Sequence, residues 1–533
     1  MSKRSPVPAR RSTLRGLHEA RVRGALREPS YELLRRFGTV IRIFGSSSPQ
    51  KQYVGLVTRV GRGIRHLTDA TRSRSRHIGT VSKLLDLPRP GPIENLRLTR
   101  GLFTDPAPVL DTIAKRYGGM CSLGAGPLRV AIVGDPASIR EVFAHGADTY
   151  RWGHRFQAIG PGVLVGKTSM LGSDGADHFR RRGAVQTAFT RQRINAWAPM
   201  IVERTDSAID DILASATPGK PLDLYPFGRR LILGITLRAL FGERWSARTD
   251  EVLNLMLRAQ SFIEAPALRQ LPHPFPVGQR ALVRRDRKVL DRMIDEDLAD
   301  VRARPIGECD GLVATMAFNR DLSDTEIRDQ AVTLIGAGFD TTASALAWAV
   351  VRLGLSIAVQ QKLREEANTV DEPWELTKLG YAGRVVRECL RLHPAGLLGV
   401  RMANTDLSVS GYRVRKGTLV GWSPYLSGRA QDVWSEPLDF DPDRFLRLDD
   451  EQRRQTDLAW VPFGRGPHMC IGFALAQLEL TLIVARISQR LDIVYPGDEV
   501  PRPRGLVVNR PVGGAPAVVT PAGNRAGRTT GAV

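Results

Sequence analysis

The stretch Phe463-Gly464-Arg465-Gly466-Pro467-His468-Met469-Cys470-Ile471-Gly472 decides how the rest of the chain is read. Its three glycines and one proline leave little room for regular structure. Beyond Gly472 the run Phe473-Ala474-Leu475-Ala476-Gln477-Leu478-Glu479-Leu480 is apolar at helical spacing. The pattern predicts a tight loop that delivers Cys470 to the start of a helix. Unpaired backbone N–H groups and the helix dipole favour an anion there. A thiolate in that place is stabilised and can ligate a metal.

Working outward, the remaining cysteines are Cys121, Cys309 and Cys389, far apart, with no CxxC and no HExxH. Zinc-type spacing is absent, and a disulfide framework does not suit a chain of 533 residues, so a reducing, intracellular setting is expected. The composition, 42% hydrophobic and 25% charged, is that of a soluble globular protein. No run of about 18 apolar residues predicts a transmembrane helix, and no secretory signal opens the chain. The net charge of +22 suggests nucleic acid until it is divided. Residues 1–80 hold 18 Lys/Arg against 4 Asp/Glu, a balance of +14, which leaves only +8 for the other 453 residues. That segment, Arg/Gly/Ser-rich with a strand or amphipathic patch at Val40–Phe44, reads as a disordered basic extension, as untranslated upstream sequence, as an arm for anionic lipid or nucleic acid, or as a transit peptide.

The strongest predicted helix starts at Ser323, where Ser323 and Glu326 form a capping box, and runs to about Gly354, roughly 45 Å. Apolar on most sides, it must cross the interior. Its middle, Gly336-Ala337-Gly338-Phe339-Asp340-Thr341-Thr342, is costly in an apolar helix unless used. It reads either as an internally satisfied kink or as a small-ligand groove with a proton-delivery pair. Asp177-His178-Phe179-Arg180-Arg181-Arg182 opens another helix, running to about Phe189. His178 and Arg182 share one face, either a solvated basic face or a pair of donors for buried carboxylates. Glu388 and Arg391, three apart before His393-Pro394, can pair, which locally suggests a weak surface ion pair. Cys389 and His393 read as structural.

Elsewhere, Leu87-Pro88-Arg89-Pro90-Gly91-Pro92 marks the start of the folded domain, with a helix over 106–118 and strands Met120–Leu123 and Leu128–Val133 around a Gly124-Ala125-Gly126 turn. Residues 152–173 read as one long functional loop. Helical patterns fill 196–300, with breaks near Pro218–Pro221 and Pro272–Pro274. Leu397, Leu398 and Val400 lead to the cation Arg401, short strands fill 406–424, and the chain after about 515 reads as frayed.

Together these stretches, over about 88–520, resemble the cytochrome P-450 superfamily of haem-thiolate monooxygenases, in its bacterial-type soluble form. Phe463-Gly464-x-Gly466-x-His468-x-Cys470-x-Gly472 resembles the haem-binding loop. Ala337-Gly338-x-Asp340-Thr341 resembles the oxygen-activation motif. Glu388, Arg391 and Arg444 resemble the family's structural triad, and His178, Arg182 and Arg401 match its propionate contacts. The resemblance implies a mainly α fold with small β-sheets. In it, haem b (iron protoporphyrin IX) lies between the long distal helix and the helix after the Cys470 loop, with a flexible tail at 521–533.

The resemblance makes Cys470 the axial ligand to iron. Gly338 would make room for dioxygen, Thr341 would hydrogen-bond it, and Asp340 would relay protons. The implied activity inserts one atom of O2 into an apolar organic substrate (lipid, terpenoid or sterol-like), with Leu397, Leu398, Val400 and the 152–173 loop lining the pocket. No flavin- or ferredoxin-like domain is present, so a separate ferredoxin or flavoprotein reductase would supply electrons near the Cys470 face. The expected location is the cytoplasm, with a weak membrane-surface contact through residues 1–80 and no specific nucleic acid partner. Two alternatives are a haem-thiolate peroxygenase or isomerase, and a non-catalytic haem binder whose basic arm contacts membrane or nucleic acid. The Ser427-Gly428-Arg429-Ala430 stretch and the glycines Gly380 and Gly383, which leave the first turn of the Glu388 helix open, depart from the family pattern.

Overall fold

Short strands and long helices share the computed structural model, which describes residues 84–523 except 127–128, 153–160, 266–269, 271–277, 373 and 376–377. The expectations for residues 1–80, including Val40–Phe44, lie outside the described residues, as do the break at 272–274 and most of the expected tail. From Leu84 onward the chain is one compact unit.

It opens with β1 (Leu85–Asp86), α1 (Pro92–Thr104) and α2 (Pro106–Tyr117). Proline occupies the first turn of both helices, where a missing N–H costs nothing. The fold thus begins slightly before residue 88, because Leu85 and Asp86 pair in parallel with Tyr412 and Arg413. The proline-rich stretch also concealed α1. Then come β2 (Met120–Leu123) and β3 (Val130–Val133), the expected hairpin, and β4 (Tyr150–Arg151). The body follows as α3 (Gly175–Gln186), α4 (Ala198–Ser215), β5 (Leu222–Asp223), α5 (Tyr225–Phe241), α6 (Thr249–Ile263), α7 (Gly278–Ala303) and α8 (Asp324–Leu355). It ends with α9 (Gly380–Leu392), β6 (Gly399–Ala403), β7 (Leu407–Val409), β8 (Tyr412–Val414), β9 (Leu419–Trp422), α10 (Phe473–Arg490), β10 (Leu491–Val494) and β11 (Pro516–Pro521).

One sheet has the order β2-β3-β9-β6-β4, a second β1-β8-β7 and a third β10-β11-β5. The helices pack around α8, with α5 laid along it and α10 against it. The Ser323–Glu326 capping box closes the start of α8 as expected, and the helix then runs continuously to Leu355. By length and composition α8 could cross a membrane, but most of it is buried in this core.

Three expectations change. Residues 152–173 are not one loop: Pro161–Val165 is helical, and Thr168 and Met170 are pinned to α8. The Thr168 hydroxyl donates to Asp329 (2.6 Å) and the Met170 N–H to Gln330 (2.7 Å). Residues 516–521 are not frayed but form the middle strand of a sheet, because Ala517 and Val519 alternate inward at the two-residue strand period. Leu397 lies in the core beside Leu98, Leu102 and Leu110 rather than in a pocket; Leu398 and Val400 are half-buried. The first turn of α9 forms at Gly380 despite its glycines. There the Glu366 carboxylate accepts the Tyr381 and Ala382 N–H groups (2.5 and 2.8 Å) and holds the helix start.

Candidate active site

The Cys470 loop is built by backbone. Gly464 (φ 67°) and Gly466 (φ 76°) take the left-handed conformation that other residues resist. The turns close through Gly464 N–H to Val461 (3.1 Å), Met469 N–H to Gly466 (3.0 Å) and Cys470 N–H to Phe463 (2.9 Å). Phe463 packs edge-on against Phe473 at the start of α10, with 4.8 Å between ring centroids, and this locks loop to helix. Gly472 is the N-cap of α10. The Gly472 and Phe473 N–H groups aim at the thiol, as the helix-start argument required. Those donors and Arg182 pull the thiol pKa down, yet desolvation is larger and holds it above its ordinary value. The Sγ is open to a recess but ringed by protein, which accounts for both an accessible side chain and a strong desolvation. A cationic metal at Sγ would reverse that balance.

The rim is basic. His178 on α3 stacks on His468 of the loop, centroids 3.8 Å apart, and Trp152 lies 5.5 Å from His468. Burial, reinforced by Arg182 and opposed by Asp174, lowers the His178 pKa to about 4. Burial, with His178, Arg401 and Arg182 nearby, lowers that of His468 to about 3. Both rings are therefore neutral near pH 7. Arg401 sits on β6, over Phe143 at 4.7 Å, and donates to the Arg465 carbonyl (2.9 Å). Its buried Nε has no partner among the described residues. Arg182, half-buried, forms no ion pair with a described carboxylate, while Arg180 and Arg181 turn away to Glu326 and tie α3 to the start of α8 (Arg181 Nε–Oε1 2.9 Å). Two arginines without an acid and two neutral imidazoles beside a thiol fit a planar iron chelate that carries its own carboxylates, which is the haem the resemblance implied.

On α8, accessibility is confined in the middle of the helix to Gly336, Ala337, Gly338 and Thr341. The Thr341 hydroxyl donates back to the Ala337 carbonyl (2.7 Å). A Cβ at Gly338 would stand 3.5 Å from Thr236 on α5, an ordinary contact, so the packing of α5 alone does not demand a glycine there. Asp340 is fully buried, not open to solvent. It accepts the Tyr225 hydroxyl (2.9 Å) and a two-pronged bond from Arg229 (2.7 and 3.2 Å). Tyr225 and Arg229 were missed in the sequence; their i,i+4 spacing put them on one face of α5, but nothing local showed which carboxylate they met. A surface cleft lined by Tyr225, Arg229, Glu264 and Arg510 leads to this pair from outside.

The Glu388–Arg391 pair is buried scaffold, not a surface contact. Arg391 bonds Glu388 through Nε and Nη2 (both 2.8 Å), and Arg444 adds Nε to Oε1 (2.8 Å). Cys389 is buried beside the Ala345 carbonyl. His393 is buried too, stacked on Trp348 at 3.9 Å with Arg352 on Nε2 (3.0 Å).

A thiol loop, a basic rim and an opened central helix on this scaffold define a haem-thiolate protein. The chain belongs to the cytochrome P-450 family, whose model (Cytochrome P-450) matches residues 88–515. It is a P-450 monooxygenase, an oxidoreductase that depends on haem, O2, an organic substrate and an electron donor. It is 32% identical over 389 residues to putative cytochrome P-450 139 of Mycobacterium tuberculosis, covering 68% of this chain and 86% of that one. It is 29% identical over 422 residues to the cyclooctat-9-en-7-ol 5-monooxygenase of Streptomyces melanosporofaciens, covering 75% and 88%. The structure titled retinoic acid bound cyanobacterial CYP120A1 shares the fold, with a TM-score of 0.71, 22% identity, and coverage of 82% of this chain and all of that one.

Proposed function

We propose that the enzyme binds haem b between α8 and the Cys470 loop and hydroxylates or epoxidises an apolar lipid-, terpenoid- or sterol-like substrate. The observation that carries this reading is the pairing of the Cys470 thiol with a rim in which Arg182 and Arg401 form no ion pair with a described carboxylate. Cys470 would hold the haem iron through its thiolate, His178, Arg182, His468 and Arg401 would hold its carboxylates, and Phe463, Gly464 and Gly472 would shape the pocket around the thiolate. When bound, the haem supplies the activation of dioxygen for oxygen-atom insertion.

The protein's part is positioning and proton control. Ala337, Gly338 and Thr341 present a short, nearly side-chain-free wall where a small diatomic fits. The Thr341 hydroxyl, now bonded to Ala337, can redirect its proton into that space. Asp340, bonded to Arg229 and Tyr225 beside a surface cleft, sets a carboxyl one residue from Thr341. Half-buried Leu398 and Val400 offer apolar surface beside Arg401. The relative named for cyclooctat-9-en-7-ol is in keeping with a substrate of that polarity. Electrons come from a separate ferredoxin or flavoprotein, in a cytoplasmic setting, with residues 1–80 as a peripheral membrane contact.

The test is the carbon-monoxide spectrum of the reduced protein. Wild type gives the red-shifted Soret band of a thiolate-ligated haem, and Cys470→Ala does not. A wild-type spectrum without that shift removes Cys470 as ligand. Spectral titration with lipids, terpenoids and sterols then sorts the substrate classes.

A further inference from the structure

We propose that the outer face of α1 is a docking surface for an anionic lipid bilayer. The inner face of this helix is fully used. Leu98 and Leu102 are buried in the cluster around Leu110 and Ile113. Asn95 and Thr99 accept the Gly124 N–H (2.9 and 3.0 Å), and Glu94 pairs with Arg116 (2.7 Å). Gly101 lets α2 come so near that a Cβ would stand 2.7 Å from Val109. The outer face does none of this. Ile93 is 87% exposed, Leu96 72% and Phe103 51%, with Arg97 and Arg100 exposed beside them.

These positions fall on one arc of about 120° at 3.6 residues per turn, with Phe103 and Leu96 at one edge, Arg97 at the other, Arg100 and Ile93 between them, and no acid within the arc. Scattered exposed apolar side chains are ordinary; three on one helix face, edged by cations, are the pattern of a helix lying in a membrane surface.

Charge selects the occupant. A second copy bringing the same face would set Arg97 and Arg100 against their own duplicates. An anionic bilayer attracts both and accepts the apolar side chains. Contact there would hold the enzyme at the phase where an apolar substrate concentrates. The surface stands on α1 alone and does not depend on the arm.

The experiment is co-sedimentation of the full-length holoenzyme with phosphatidylcholine vesicles, with and without phosphatidylglycerol. Wild type binds the anionic vesicles, less as salt rises. The variant Ile93→Ser/Leu96→Ser/Phe103→Ser loses most of that binding. Arg97→Gln/Arg100→Gln weakens it by about tenfold or more, as each cation near an anionic surface contributes about fivefold. Both variants keep the reduced carbon-monoxide band, because the five side chains leave the core untouched. If both variants bind as wild type does, the contact belongs to the arm and the inference on α1 falls while the arm reading stands. If wild type fails to bind, both fall. A wild-type dimer that the triple variant dissolves, by sedimentation velocity, assigns the face to a second copy and overturns the proposal.

Discussion

Asp340 and Thr341 adjoin in the chain but lie about 100° apart around the helix. That rotation sends the carboxylate to Arg229 and Tyr225 on α5 and leaves the hydroxyl on the accessible strip. The two side chains are therefore separable by mutation. Thr341→Ala is expected to keep electron consumption while product per electron pair falls by about tenfold or more, measured as product against reduced nicotinamide oxidised. Unchanged coupling would remove Thr341 from proton control. Arg229→Ala leaves a buried carboxylate without its cation, and about 3–5 kcal/mol of stability is expected to be lost. A denaturant midpoint within experimental error of wild type would show that Tyr225 alone satisfies Asp340. The tyrosine and arginine were invisible beforehand because a partner more than a hundred positions away leaves no local pattern.

Among the elements, α10 joins the loop to the core and carries Glu479. This carboxyl is buried and its Oε1 has no partner among the described residues. Desolvation alone pushes its pKa up to about 8 from an ordinary 4.5. Folded chain thus keeps a proton, between those values, that unfolded chain releases. The contribution is intact below about 4.5 and is lost as pH rises through about 8. Glu479→Gln carries no such charge. Its stability advantage over wild type, read by denaturant unfolding, is expected to grow from acid to mildly alkaline pH, to a few kcal/mol at most. A difference constant across that range would place the carboxyl in contact with water or a cation. For α8, the capping box and the apolar run were legible, since both are local. Of the two readings its glycines allowed, a kink or a groove, the accessible strip over Gly336, Ala337, Gly338 and Thr341 favours the groove.

For the whole molecule, Glu388 is the anion of a buried three-residue knot that fastens α9 to the segment carrying Arg444. Glu388→Ala strands two guanidinium groups in the interior and is expected to cost about 3–5 kcal/mol and most of the haem occupancy. Denaturation and the haem-to-protein absorbance ratio would measure both; a variant that retains full haem would free the knot of any part in holding the site. By itself the sequence determined the thiol loop, the long central helix, the family and the basic rim residues, because glycine geometry, helical period and short motifs are properties of neighbouring residues. Only the tertiary structure decided that Asp340 faces Arg229, that Leu397 belongs to the core, and that Pro516–Pro521 is a sheet strand. Each of those depends on what the fold brings in from far along the chain, since burial and partner choice are set by packing.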